Sequence, residues 1–287
     1  MFEILSTCIK AGTLHCEDFI GWGKDYIVAI DGASGLTGSH IMDMDTDAQW
    51  FATTLGNALC DGFKNHPETS TMDLLYKILD TMEQQYMNRL TTTGDHRPED
   101  APSAGIALYR QRGDQIEYFG LGDCVGIVKL KNGQYEMGLE TNLSALDEKV
   151  IQQMTKIHKQ TNQTVLEARQ EQICKDMLLK HRMLRNQENG YWILDLSKDG
   201  LPHARTAVYA ACDVESLSVC SDGFAQLVSP FAYYPNYERL HEGLASASAT
   251  SLVDTLFQLQ EQDPDANNHP RLKFRDDTCV IFAQVKE

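Results

Sequence analysis

A chain of 287 residues with 42% hydrophobic content is long enough to bury a sizeable core, as one large domain or two small ones. Its 41 Asp and Glu against 25 Lys and Arg give a net charge of −16, which argues against a nucleic-acid backbone as the main partner. No apolar run reaches about 18 residues, so no membrane partner is expected, and Met1–Thr7 lacks the basic-then-apolar pattern of a secretion signal. The eight cysteines form no Cys-x-x-Cys pair and no zinc-finger spacing, and several lie in apolar strand contexts. A reducing, cytoplasmic location is expected.

In chain order, residues 1–12 read as a strand leading to Gly12, and 19–22 as another. A Gly23-Lys24-Asp25 turn feeds a third strand, 26–30, an apolar β-branched run that ends abruptly in Asp31 and the small residues Gly32, Ala33, Ser34 and Gly35. Asp45 or Thr46 is placed to cap a helix with Trp50, Phe51, Leu55, Leu59 and Phe63 on its apolar face. Thr71 is placed to cap a second helix over about 71–90. Residues 91–102 read as a loop. From Ala104 to Met137 an antiparallel meander is predicted, with strands over 105–110, 116–121 and 125–130 and turns at Gly113-Asp114 and Asn132-Gly133. Residues 144–186 read as helix, 191–196 as strand, and strands follow near 206–209 and 217–220. Helices over 237–246 and 249–262 precede a final strand at 279–285. Strands and helices come in blocks, which points to α+β with antiparallel sheets covered by helix pairs.

Two motifs fail on context. Gly120-Leu121-Gly122-Asp123-Cys124-Val125-Gly126 joins two strands, where a dinucleotide fingerprint needs a strand followed by a helix. Gly32-Ala33-Ser34-Gly35 is neither a phosphate-binding loop nor a nucleophile elbow. The acidic motifs carry more. Glu17-Asp18, Asp31-Gly32, Gly122-Asp123, Ser221-Asp222-Gly223 and Asp276-Asp277 each flank a strand. A carboxylate buried at a strand end is costly unless a cation or hydrogen-bond donors meet it. Several brought together suit hard divalent cations, which prefer carboxylate, carbonyl and water oxygens.

In this order and context, the motifs from Cys16 to Ala283 resemble those of the metal-dependent serine/threonine protein phosphatases, the PPM or type 2C family, in its bacterial-type form. The resemblance implies a four-layer αββα sandwich, with two antiparallel β-sheets flanked by pairs of α-helices. It makes 1–287 a single phosphatase domain with a helical, flap-like insertion at about 144–190. It implies two Mn²⁺ or Mg²⁺ ions per site. Asp31 would bridge them, the Gly32 carbonyl and Glu17 would complete one position, and Asp222 and Asp276 would hold the other. Asp123 with Asp222 would form a weaker third position, and Asp18 would act through water. Asp31, Asp222 and Asp276 are then the catalytic set, activating a water that attacks phosphoserine or phosphothreonine in a protein substrate.

Two departures stand out. Well-studied members carry an arginine where this chain has Thr13, and many carry a histidine where it has Ala33. The expected replacement for the arginine is a cation of the insertion, where between 147 and 185 Lys149, Lys156, Lys159, Arg169, Lys175, Lys180, Arg182 and Arg185 stand against five acids; a solvated helical face is the plainer reading. Cys16, Cys124, Cys220 and Cys279 read as packing thiols; the histidines lack ligand spacing and read as structural or surface, with His15 and His40 neighbours of the site, able to supply a proton, by sequence proximity alone. The alternative reading is a weakly active or inactive relative that binds metal or a phosphorylated partner as a regulatory module. Hydrolysis of a small phosphoester is a third. A monomer is expected.

Overall fold

Phe2–Lys10 (β1), Asp18–Trp22 (β2) and Tyr26–Ala33 (β3) open the chain in a computed structural model that describes residues 1–33, 35, 40–93 and 97–286. Ser34, one of the small residues after Asp31, lies outside the described residues. Helices Asp47–Asn65 (α1) and Thr71–Thr93 (α2) follow. Thr46 caps α1, its hydroxyl accepting from the Gln49 amide at 3.0 Å. At α2 the cap is Ser70 in place of the expected Thr71, because the Ser70 hydroxyl stands one residue earlier and accepts from the Asp73 amide at 3.1 Å.

The meander forms as Ser103–Arg112 (β4), Gln115–Leu121 (β5), Val125–Leu130 (β6) and Tyr135–Gly138 (β7). The helical stretch is three pieces: Asn142–Gln160 (α3), Val165–Ala168 (α4) and Gln172–Arg182 (α5). The break falls where Thr164 and Glu167 form a capping box that starts a new helix. The expected strand at 191–196 shrinks to Leu194–Asp195 (β8). Its other backbone groups are committed elsewhere: the Trp192 carbonyl accepts from the Gly122 amide, and the Ile193 amide donates to the Asn186 side chain. Arg205–Ala210 (β9), Val214–Cys220 (β10), Asp222–Ala225 (α6), Tyr237–Ser246 (α7), Ala249–Gln262 (α8) and Thr278–Val285 (β11) complete the order.

The strands make two antiparallel sheets. One runs β1-β11-β10-β6-β7; the other runs β2-β3-β4-β5-β9, with β8 beside β4. β3 shows why its run is apolar throughout. Tyr26, Val28 and Ile30 pack in the cluster with α1 and α2, while Ile27 and Ala29 face the opposite sheet with Tyr109, Ile116 and Leu217. A third cluster joins the first sheet to α7 and α8. Helix, sheet, sheet and helix therefore stack as the expected four layers. At about 1.5–3 kcal/mol per fully buried large apolar side chain, these layers dominate the stabilisation. α3, α4 and α5 share their own small cluster around Val150, Met154 and Val165, joined by Ala266 and Leu272 from the segment before β11.

Candidate metal centre

Strand polarity gathers the acids. In the second sheet, β2 begins at Asp18 and β3 ends just after Asp31, and antiparallel pairing sets Asp18 opposite Asp31 and Asp31 opposite Gly105. β5 runs toward the same end, with Leu121 opposite Ile106, and hands the chain to β6 through Gly122-Asp123. In the first sheet Cys220 pairs with Val280 on one side and Val125 on the other. Asp222, the Asp276-Asp277 pair and Asp123 therefore leave their strands at one edge. All five motifs meet at one end of the sandwich, and Asp31 continues the Ile27–Ala29 face that looks between the sheets.

Close backbone approach makes the room. A β-carbon at Gly105 would lie 2.5 Å from the Asp123 carboxylate, and one at Gly32 would lie 2.5 Å from the Glu17 carbonyl. Asp277 clamps the loop that presents Glu17, accepting from the amides of Gly12 at 2.8 Å and Glu17 at 2.7 Å. Thus Asp276 and Asp277 divide their work, one facing the cluster and the other holding a loop.

The acids burden one another. Burial pushes the Asp31 carboxyl well above its ordinary value, and the charges of Asp18, Asp222, Asp123 and Asp276 push it further. Burial likewise raises Asp123, with Asp222 adding to it, and Asp222, with Asp276 adding to it. Asp18 is 5% exposed and is raised by burial; the Ser221 hydroxyl and the Cys279 thiol stand close enough to oppose that rise, but neither makes a well-formed hydrogen bond to its carboxylate. Orphaned, mutually repelling oxygen donors fit a hard divalent cation. Among the described residues, no three Asp, Glu, His or Cys side chains form a ready-made metal cage.

Two members of the cluster escaped sequence reading. Lys273 places its ammonium 2.6 Å from Asp276 Oδ1. Burial alone would lower its pKa, but Asp276, Asp222 and Asp31 raise it instead. Asp147, on α3, is pushed up to about 7 by burial and by the charges of Asp222 and Asp276. Only the i, i+3 spacing of Lys273 to Asp276 hinted at the first. The second needed the packing of α3 over the site.

Two of the insertion's arginines are held in place by backbone carbonyls. Arg182 donates to the carbonyls of Ala33 and Ala101, each at 3.0 Å, and of Glu99 at 3.2 Å; burial and the nearby Arg185 push its pKa down to about 10. Arg185 bonds the Ala101 carbonyl at 2.8 Å and pairs with Asp195 at 3.2 Å. Arg182 ties α5 to the end of β3, and both arginines tie α5 and its flank to Ala101 just before β4. Most of the bonds they make are to backbone carbonyls, and Asp195 supplies the carboxylate partner of Arg185. Ala33, at the family's histidine position, presents its carbonyl to this strap. His15 pairs with Asp45 at 2.8 Å, and His40 is exposed. Cys124, Cys220 and Cys279 are buried, with thiols raised first by burial, as packing thiols should be.

A four-layer αββα sandwich with an acidic, oxygen-donor centre at one end defines the class of metal-dependent phosphatase folds. Residues 6–257 match the family described as protein phosphatase 2C, and the chain belongs to that family. Among solved structures, the catalytic domain of the serine/threonine phosphatase PstP in complex with two manganese ions is similar at 13% identity, covering 100% of this chain and 99% of that one, with a TM-score of 0.56. Stp1 from Staphylococcus aureus is similar at 11% identity over 100% and 96%, with a TM-score of 0.57. PstP/Ppp of Mycobacterium tuberculosis is similar at 12% identity over 100% and 99%, with a TM-score of 0.55. No curated protein matches the chain in sequence. No helix among the described residues is long and apolar enough to cross a membrane.

Proposed function

We propose that the chain is a metal-dependent phosphoprotein phosphatase that hydrolyses phosphoserine and phosphothreonine with a water activated at a binuclear Mn²⁺ or Mg²⁺ centre. The observation that carries this reading is the convergence of five separate acidic motifs, one with an orphaned carboxylate, at one end of the sandwich. In this reading Asp31 would serve both ions, the Gly32 carbonyl and Glu17 would complete one position, Asp222 and Asp276 would hold the other, and Asp123 with Asp222 would hold a weaker third. Asp18 acts through water. The bound ions would supply an activated water and neutralise charge on the phosphoryl oxygens.

The chain's own residues set the geometry. β3 fixes Asp31 between the sheets, Asp277 holds the Glu17 loop, and the Arg182 strap holds the strand end beyond Gly32. We read residues 1–287 as one domain, monomeric and cytoplasmic, with the helices α3 to α5 as its flap-like insertion and a phosphorylated protein as its partner.

Phosphate release from phosphoserine and phosphothreonine peptides, beside a small sugar phosphate, with Mn²⁺, Mg²⁺ or chelator, tests the proposal. Metal-dependent release from the peptides is expected. Release from the small ester alone would contradict the protein substrate, and no release with any metal would contradict the enzyme. The second reading, a metal- or phosphopartner-binding module with weak turnover, is favoured by the ammonium of Lys273 inside the cluster and by Thr13 and Ala33. It predicts phosphopeptide binding without release.

A further inference from the structure

Lys273 lies outside every motif that defines the centre, yet it places an ammonium against one of its acids. Its Nζ stands 2.6 Å from Asp276 Oδ1, and the same oxygen accepts from the Asp277 amide at 3.1 Å. The segment that carries Lys273 is tied down on both sides. Arg271 pairs with Asp263 at 3.1 Å and Leu272 packs into the α3–α5 cluster. Arg275 pairs with Glu261 and stacks over Phe257. The backbone therefore delivers a lysine to Asp276 with half of its side-chain surface (50%) exposed and its ammonium enclosed among the acids. A fixed root with a long, flexible, half-exposed stem allows the charged end to leave without unfolding anything.

We propose that Lys273 is a tethered counter-ion that neutralises the Asp276 end of the centre in the metal-free protein and competes with divalent metal for it. This rests on reading the cluster as a metal centre. Two cations on one carboxylate repel, so an ion entering at Asp276 competes with the ammonium. The protein then keeps an acid-dense cleft intact without metal, and gains activity only when metal concentration is high enough to win the exchange. Apparent affinity is the intrinsic affinity multiplied by the fraction of molecules in which the lysine has swung out.

The test is calorimetric titration of the metal-stripped full chain with Mn²⁺ alone, comparing wild type with Lys273→Met, Lys273→Gln and Lys273→Arg. If about nine molecules in ten hold the pair, Lys273→Met and Lys273→Gln bind Mn²⁺ about tenfold more tightly, while Lys273→Arg stays at or below wild type. In the wild type, the side-chain NMR signal of Lys273 shifts as Mg²⁺ is added, with the same midpoint as binding. Equal or weaker affinity in the neutral variants, or a Lys273 signal that ignores Mg²⁺ while Mg²⁺ binds, overturns the inference and leaves the metal centre standing. No metal binding by any of the four proteins overturns the metal reading and this inference with it.

Discussion

Asp18 and Asp31 are direct partners in the antiparallel register of β2 and β3. Opposed residues share a face, and two acids there are destabilising unless a cation intervenes. Replacing one acid by its neutral isostere should therefore stabilise the metal-free protein while removing its response to metal. Asp31→Asn is expected to gain about 1–3 kcal/mol in urea unfolding with chelator present. Its melting temperature should not rise with Mn²⁺, whereas that of the wild type should. A destabilised Asp31→Asn protein in chelator would show that the pair is not strained.

The Asp277 carboxylate spans two amides of the loop that presents Glu17. Losing both charge-assisted bonds leaves those amides without their acceptor. Asp277→Ala is expected to cost about 2–4 kcal/mol in denaturant unfolding and to weaken Mn²⁺ binding through the misplaced Glu17. Faster amide hydrogen exchange at Gly12 and Glu17 would mark the cause as local. Unchanged exchange there would remove the clamp from the account.

His241 sits buried on α7, with Ser216 and Ser218 of β10 each 2.8 Å from one ring nitrogen. Burial, reinforced by the charge of Lys129, pushes its pKa down to about 4 from an ordinary 6.5. A depressed histidine binds fewer protons folded than unfolded, so its contribution is present above 6.5 and is lost as pH falls toward about 4. Between pH 7 and 4.5 the wild type should lose about 2–3 kcal/mol more than His241→Leu. Urea unfolding at the two pH values measures this, and equal losses would contradict it. At pH 7 the variant itself should be less stable, because both serine hydroxyls lose a buried partner.

Much of this architecture was legible beforehand because its signals are local. The apolar run of β3, the Thr46 cap, the periodic face of α1, and the paired helices 237–246 and 249–262 are set by neighbours in sequence. The acids at strand ends were legible too, since a carboxylate closing an apolar strand breaks the burial rule. What escaped depends on packing between distant segments. Arg182 is one charge among eight in a basic stretch until α5 docks against the carbonyls of Ala33, Glu99 and Ala101. Asp147 belongs to the cluster only because α3 folds over it. Lys273 stands in a loop without periodicity, and its role follows from the anchoring of Leu272 and Arg275 on either side.

The central claim is that the gathered carboxylates hold metal that hydrolyses phosphomonoesters, and the rate of aryl phosphate hydrolysis by wild type and Asp222→Asn tests it most directly. Asp222 interacts with Asp31, Asp123, Asp147 and Asp276, so its charge is central to the cluster. With Mn²⁺ the wild type should turn over, chelator should abolish that turnover, and Asp222→Asn should lower it by about 100-fold or more. A wild type inactive with every divalent metal, or an Asp222→Asn variant as active as wild type, would contradict the account.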